Sequence, residues 1–349
     1  MNKSEVPKGV RLFFYLNRGY FMSKSKPFKT YNQQLKILRS RGLEIKNGSK
    51  AIRFLKRENY YNVINGYKIL FLERDRSNGA VVSPEKYIKG ATFEDIANLY
   101  TFDRELRNLF LSFMLRFEAN LKTIIAYRFT ESHPRQAHPY LEISNYSDNP
   151  KIARDVLNTI SNLYKQISSQ GKENNNSVNH YVNKHNHVPL WVLVKYLTFG
   201  NVSYMYKSMN ETLRNTISKD FADEYKQEYN KKILIDTDML ENIIKTMNSF
   251  RNVAAHEEIF YTHTLKKSAA MSKIYNIFGL KTSDTTKTDL YTLLLMLRVV
   301  LSKRDYKILT RSLRDLFDDY NNEFSCISFD EILKMMGFGA SWKSEIMIK

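Results

Sequence analysis

The chain has 349 residues, 43% hydrophobic and 26% charged, which excludes a disordered chain and allows a large core in one or two domains. Seven prolines and 12 glycines disfavour a turn-rich β fold, and the single Cys326 excludes a disulfide framework or a cysteine-based zinc site. The net charge of +18 asks for a partner of opposite sign.

That charge is concentrated at the start of the chain. Residues 1–76 hold 18 Lys or Arg against 5 Asp or Glu, so +13 of the +18 lies there. Aromatic residues are interleaved with it, among them Phe13, Phe14, Tyr20, Phe28, Tyr31, Tyr60, Tyr61 and Tyr67. Cations pair with phosphates and rings stack on unpaired bases, so this lobe is expected to bind RNA. Candidate contacts are Lys24, Lys26, Lys29, Arg39, Arg41, Arg53, Lys56 and Arg57. For any single ring, a place in the core is the competing reading. No long basic amphipathic helix suggests a membrane surface.

Leu12 to Leu16 is too short an apolar run for a signal peptide, so a cytoplasmic location is expected. Thr30 caps a first helix that stops at Gly42, and Ser49 caps a second through Ile52 and Leu55. Residues 74–91 read as loop, with room for a short hairpin at Val81-Val82. Thr92 opens the longest apolar stripe, running from Ile96 to Ile125. The stripe reads as one helix or as two with a break near Phe102-Asp103.

Ile152 to Ile167 is amphipathic. The Asn-rich stretch 168–187 carries His180, His185 and His187. Their spacing does not put all three on one helix face, and the stretch reads as loop, with no metal. Pro189 opens a helix that Gly200 ends, and Thr237 caps a strong one through Leu240, Ile243, Ile244, Met247 and Phe250. A short helix is expected at Met271 to Ile277 and a buried one over 289–302, too short and, with Arg298, too charged to span a bilayer. Helices at Tyr306 to Tyr320 and Phe329 to Met336 follow, the second capped by Ser328 and stopped by Gly337. No Gly-rich phosphate loop or metal-ligand helix pattern occurs, and no cofactor is expected.

The apolar face of the Thr237 helix ends in Arg251-Asn252-Val253-Ala254-Ala255-His256. A fixed cation and a proton carrier at one helix end suit the handling of a phosphodiester. Spacing alone carries little. With 20 Arg and 7 His in the chain, chance supplies about one such pair, and Arg128/His133 is a second. Phe129 and Pro134 flank that second pair, which reads as a helix end and loop. A polar Asn252, small residues before the histidine and a strong helix feeding in set Arg251 and His256 apart.

RNVAAH resembles the R-x(4–6)-H motif of HEPN ribonucleases. The chain around it resembles the Abi family of abortive-infection proteins, of the AbiD/AbiF type, over roughly residues 25 to 300. The blocks that carry the resemblance are TYNQQLKILRSRGLEI at 30–45, FLKRENYYNVINGYKILF at 54–71, FDRELRNLFLSFMLRFEANLKTIIAYRF at 102–129 and PLWVLVKYLTFGNVSYMY at 189–206. One departure is that Glu257 and Glu258 stand where that family has a basic residue after the motif histidine.

The resemblance implies an all-α fold. A basic N-terminal lobe (1–91) would precede a HEPN-type bundle (92–303) and a helical C-terminal tail (304–349). It implies a metal-independent endoribonuclease toxin of a phage-defence system. Arg251 would hold the scissile phosphate, His256 would move the proton, and Asn252 would orient one of them. Its partners would be a target RNA, a cognate noncoding RNA that restrains it, and a second copy of the chain in a homodimer. Two other readings stay open. One is a non-catalytic RNA-binding or sensing protein whose Arg251 is a structural ion pair, for example with Glu118. The other is a module that acts with a nucleotidyl-transfer partner.

Overall fold

The computed structural model describes residues 27–266, 270–280 and 287–348, and these form an all-α protein. Helices α1 (Tyr31–Ser40) and α2 (Gly48–Arg57) make the N-terminal lobe. Thr30 caps α1 in a reciprocal capping box with Gln33. Asn47, two residues before the expected Ser49, caps α2 by accepting from the Lys50 N–H. The region of the expected Val81-Val82 hairpin has only isolated bridges, Arg74 to Val81 and Leu72 to Tyr87.

The body is built on α3 (Phe93–Glu131), 39 residues long, or roughly 60 Å at 1.5 Å per residue. The other helices follow in order as α4 (Ala153–Gln170), α5 (Ser177–His185), α6 (Leu190–Leu193), α7 (Phe199–Ser208), α8 (Glu211–Tyr229) and α9 (Thr237–Ala255). A two-residue antiparallel pair, β1 (Leu265–Lys266) with β2 (Lys287–Thr288), flanks α10 (Ala270–Ile277). The chain ends with α11 (Leu290–Val300), α12 (Lys303–Tyr320), α13 (Phe329–Met335) and α14 (Trp342–Glu345).

Helices α12, α9 and α8 all pack along α3. Its buried stripe of Ile96, Leu99, Phe102, Leu106, Phe110, Phe117, Leu121 and Ile125 receives them. α11 is apolar nearly all round and lies inside. Its one cation, Arg298, donates to the Glu345 carbonyl at 3.1 Å and covers the Phe278 ring at 4.5 Å. The C-terminal helices are part of the same core, since Phe317 and Phe329 both pack on Phe102 of α3. Gly337 ends α13 at φ +88°, and a Cβ there would lie 2.1 Å from Asp289 Oδ2, so glycine is required twice over.

Two sequence expectations are corrected. Gly200 does not end the helix that Pro189 opens: α6 stops at Leu193, a 3-10 turn follows to Tyr196, and Thr198 caps α7 with Gly200 inside it. The Asn-rich stretch is not all loop, because Asn176 accepts from the Asn179 N–H and starts α5. Of the two readings of the long stripe, the single helix is the one found, with α3 unbroken at Phe102-Asp103. Asp103 is fully buried, yet its carboxylate accepts from Tyr67 Oη at 2.6 Å, Arg107 Nη1 at 2.8 Å and the N–H groups of Phe260 at 3.0 Å and Tyr261 at 2.7 Å. Burial pushes this carboxyl up, and the four donors oppose that shift. A polar residue that looked like a break is a bolt joining the lobe, α3 and the segment after α9. Glu58 makes a second latch, taking Arg104 Nη1 at 2.9 Å and Tyr100 Oη at 2.7 Å.

Asp103→Ala strands Arg107 in the core and removes the acceptor of two buried N–H groups. It should cost about 3–5 kcal/mol. Asp103→Asn keeps one acceptor oxygen and should cost less. Urea denaturation measures both, and a parental midpoint for Asp103→Ala would contradict this account.

Candidate functional site at the end of helix α9

Asp236, one residue before the expected Thr237, caps α9 by accepting from the Met239 N–H at 2.8 Å. Leu240, Ile243, Ile244, Met247 and Phe250 are buried as their spacing requires. The same face carries Arg251 into a half-buried position on the last turns, while Asn252 and His256 stay exposed.

The helix ends at His256 in a Schellman turn. The Glu257 N–H donates to Ala254 O at 3.4 Å and the Glu258 N–H to Val253 O at 3.1 Å. Glu257 holds φ +57°, the left-handed region that glycine prefers, at a cost on the order of 1 kcal/mol. The departing chain is then fixed at once. Arg107 Nη1 donates to the Glu258 carbonyl at 3.2 Å, and Asp103 takes the next N–H groups. Glu257 and Glu258, where the resemblance called for a base, serve the turn. His256 thus sits on a rigid corner with its imidazole in solvent.

Arg251 is gripped on one edge only. Its Nε lies 3.5 Å from Glu118 Oε2, a partly exposed ion pair whose two facing atoms are buried and short of hydrogen-bond alignment. Its Nη1 donates to Asn252 Oδ1 over a long 3.4 Å. Glu118 is neutralised independently, since Lys122 Nζ pairs with its Oε1 at 2.7 Å and donates to Leu197 O at 2.7 Å. The guanidinium is therefore backed by a carboxylate on its Nε side, and the side chain is still 28% exposed. An anion arriving from solvent can take a bidentate pair of hydrogen bonds from the Nη groups.

The other pair of equal spacing is spent. Arg128 Nε and Nη2 donate to both oxygens of Asp220 at 2.7 and 2.6 Å, and Nη1 donates to Glu131 at 2.6 Å. These bonds hold its pKa above the ordinary arginine range. His133 Nδ1 bonds its own helix at Phe129 O, 2.9 Å away. His263, which sequence reasoning did not single out, meets Ser249 Oγ at 3.1 Å behind the motif, and burial lowers its pKa. His180 and His185 pack on each other and on Tyr181, and no described residues form a cluster able to hold a metal ion.

Among the basic candidates, Lys24 and Lys26 lie outside the described residues. Lys29, Arg39, Arg53, Lys56 and Arg57 are exposed. Arg41 is tied to Glu85 at 2.8 Å, a carboxylate that Lys68 shares at 2.7 Å. Lys29, Lys56 and Arg57 line a groove of about 510 Å³ together with Phe28, Tyr31 and Tyr60, and Phe28 is 87% exposed. Folding brings these cations and rings together, while Arg39, Arg41 and Arg53 lie outside the groove. No helix among the described residues is long and apolar enough to cross a membrane.

The two arginines should part in their effect on stability. Arg128→Ala removes a forked, partly exposed pair and should cost about 1–2 kcal/mol after allowance for solvent screening. Arg251→Ala leaves Glu118 with Lys122 and should stay within about 0.5 kcal/mol of the parent. Thermal denaturation of both variants checks the order.

Compared with curated proteins and with solved structures, the chain finds no match in either set. The pattern of the Abi-like protein family matches residues 53–262, which run from α2 through the Arg251 motif to the bolt at Tyr261. The chain therefore belongs to the Abi-like protein family, and with it to abortive infection as a form of phage defence.

Proposed function

We propose that this protein is a HEPN-type endoribonuclease, metal-independent as the motif resemblance implies, acting as the toxin of its defence system and restrained by a bound noncoding RNA. The observation that carries the reading is the asymmetry of Arg251. One edge is anchored by Glu118, and the half-exposed remainder stands at the same helix end as the solvent-exposed His256. Arg251 binds the non-bridging oxygens of the scissile phosphate and offsets the charge that grows there. His256 takes the proton from the 2'-hydroxyl. The O2'–P bond forms, the P–O5' bond breaks, and its electron pair leaves on O5', which is protonated. The products are a 2',3'-cyclic phosphate and a 5'-hydroxyl. Asn252 orients Arg251.

One histidine per chain cannot serve at once as base for O2' and acid for O5'. Two copies of the motif meeting across a two-fold axis supply both, and a homodimer is the assembly this implies. The groove at Phe28, Lys29, Tyr31, Lys56 and Arg57 holds single-stranded RNA by stacking and phosphate contact.

Arg251→Ala or His256→Ala should lower RNA cleavage by at least about 10²-fold with the helical circular dichroism unchanged. Parental cleavage should survive EDTA and leave cyclic phosphate ends. Full activity in either variant would end the proposal. Mixing Arg251→Ala chains with parental chains should depress activity more than dilution does.

Neutralising Lys29, Lys56 and Arg57 should weaken RNA binding and reduce its log–log salt slope by roughly 2. Arg251→Ala should leave that slope nearly unchanged. In cells, the lobe variant should grow more toxic if the bound RNA is the restraint. It should grow harmless if that RNA is only substrate.

The second reading, a non-catalytic RNA-binding or sensing protein, is favoured by the same Arg251–Glu118 pair taken as purely structural. It requires Arg251→Ala to lower the melting temperature and to leave RNA intact in parent and variant alike.

A further inference from the structure

Helix α12 carries its charges against its own dipole. Its first twelve residues hold Lys303, Arg304, Lys307, Arg311 and Arg314, while Asp315, Asp318 and Asp319 crowd its end. A helix N-terminus is partly positive and its C-terminus partly negative, so the exposed charges in the first and last turns, such as Arg304, Asp318 and Asp319, are unfavourably placed. The first-turn carboxylate that would help, Asp305, is taken by Arg116 of α3. Intramolecular pairing does not account for the cluster either. Among the described residues, Arg304, Lys307 and Arg311 are exposed and none has an ion-pair partner.

These three stand three and four residues apart, on one face, over roughly 10 Å of helix. With Lys303 they line an open groove of about 530 Å³ against the end of α8. Its one carboxylate, Glu228, accepts from the Lys303 N–H at 2.9 Å and faces the helix end. The only large apolar group in the groove is Ile308, 42% exposed. A single isoleucine is too little to wedge into lipid, which argues against a membrane surface. An anionic chain would offset the repulsion among the cations and meet the positive end of the helix together.

We propose that the N-terminal half of α12 is a second nucleic-acid backbone site, contacting two or three phosphates through Arg304, Lys307 and Arg311. It lies outside the family match and apart from the N-terminal groove. It rests on the proposed function only in taking RNA as the nucleic acid. A single RNA that spans both sites is held at two ends of the sequence, with affinity greater than either site alone provides.

The test uses full-length protein carrying Arg251→Ala, so that cleavage plays no part. Binding of a fluorescent stem-loop RNA is followed by anisotropy across a potassium chloride series. Arg304→Gln/Lys307→Gln/Arg311→Gln should weaken binding at least about tenfold and reduce the log–log salt slope by roughly 2 to 3. Arg304→Lys/Arg311→Lys, which keeps the charge, should retain the parental slope. An unchanged slope and affinity in the neutral variant overturn the site. So does an equal loss in the lysine variant, which would mark a structural defect. Loss of binding to anionic phospholipid vesicles with RNA binding intact would also overturn it, in favour of a lipid surface. Absence of cleavage by the parent chain alongside a reduced slope would sink the nuclease reading and leave this site standing.

Discussion

Asp103 is the point on which the arrangement of this protein depends. One carboxylate accepts from four donors drawn from three parts of the chain: Tyr67 of the lobe, Arg107 of α3, and the backbone of Phe260 and Tyr261. A buried charge is tolerated only where its hydrogen-bonding capacity is filled, and here it is filled by long-range partners alone, apart from Arg107. The consequence reaches the motif. The strained turn at Glu257 needs something to hold the chain that leaves it, and Arg107 and Asp103 grip residues 258, 260 and 261 in succession. His256 is placed by this grip on the backbone beyond it, and no hydrogen bond among the described residues reaches its ring.

Arg251 and Arg128 show why spacing is a poor guide to chemistry. Both are followed by a histidine five residues on, and both meet carboxylates of a neighbouring helix. Asp220 faces Arg128 squarely and Glu131 takes another edge, so three of its five N–H donors are used and two carboxylates already offset its charge. Glu118 meets only the Nε side of Arg251 and is itself shared with Lys122. The difference lies largely in Glu118 and Lys122, far in sequence from Arg251, and in Asp220, far from Arg128, which only the fold brings to the two arginines.

Much of the fold was legible because it is written in local terms. Thr30, Thr92, Ser328 and Gly337 mark helix ends through their own backbone bonds, and the stripe from Ile96 to Ile125 follows the helical period. The errors came where tertiary contacts overrode local cues. Asp103 could be read as an interruption until three of its four donors arrive from distant residues. The 168–187 stretch reads as loop by composition, although Asn176 caps a helix whose Val178 is buried in the core. At the site, Arg251, Asn252 and His256 could be named from sequence, but Glu118 entered only as an example. Arg107 and Asp103 could not be named as its supports.

Charge has the same two layers. Composition locates an excess of cations, and the fold decides which are free. Arg41 is absorbed by Glu85, and Arg116 by Asp305. Lys122 is held by Glu118. Cations left without an ion pair include Lys29, Lys56 and Arg57 in the groove beside Phe28 and Arg304, Lys307 and Arg311 on the face of α12, while Arg251 is paired on one edge only. Each is carried by an element that meets α3, directly or through the Glu58 latch. On the proposed reading, α3 fixes the distances between the places where RNA is held and the place where it is cut. A restraining RNA then needs no contact with His256 to block it. On that reading the outlying cations would hold it, and its bulk would be what keeps a second chain or a target strand from the corner where His256 stands.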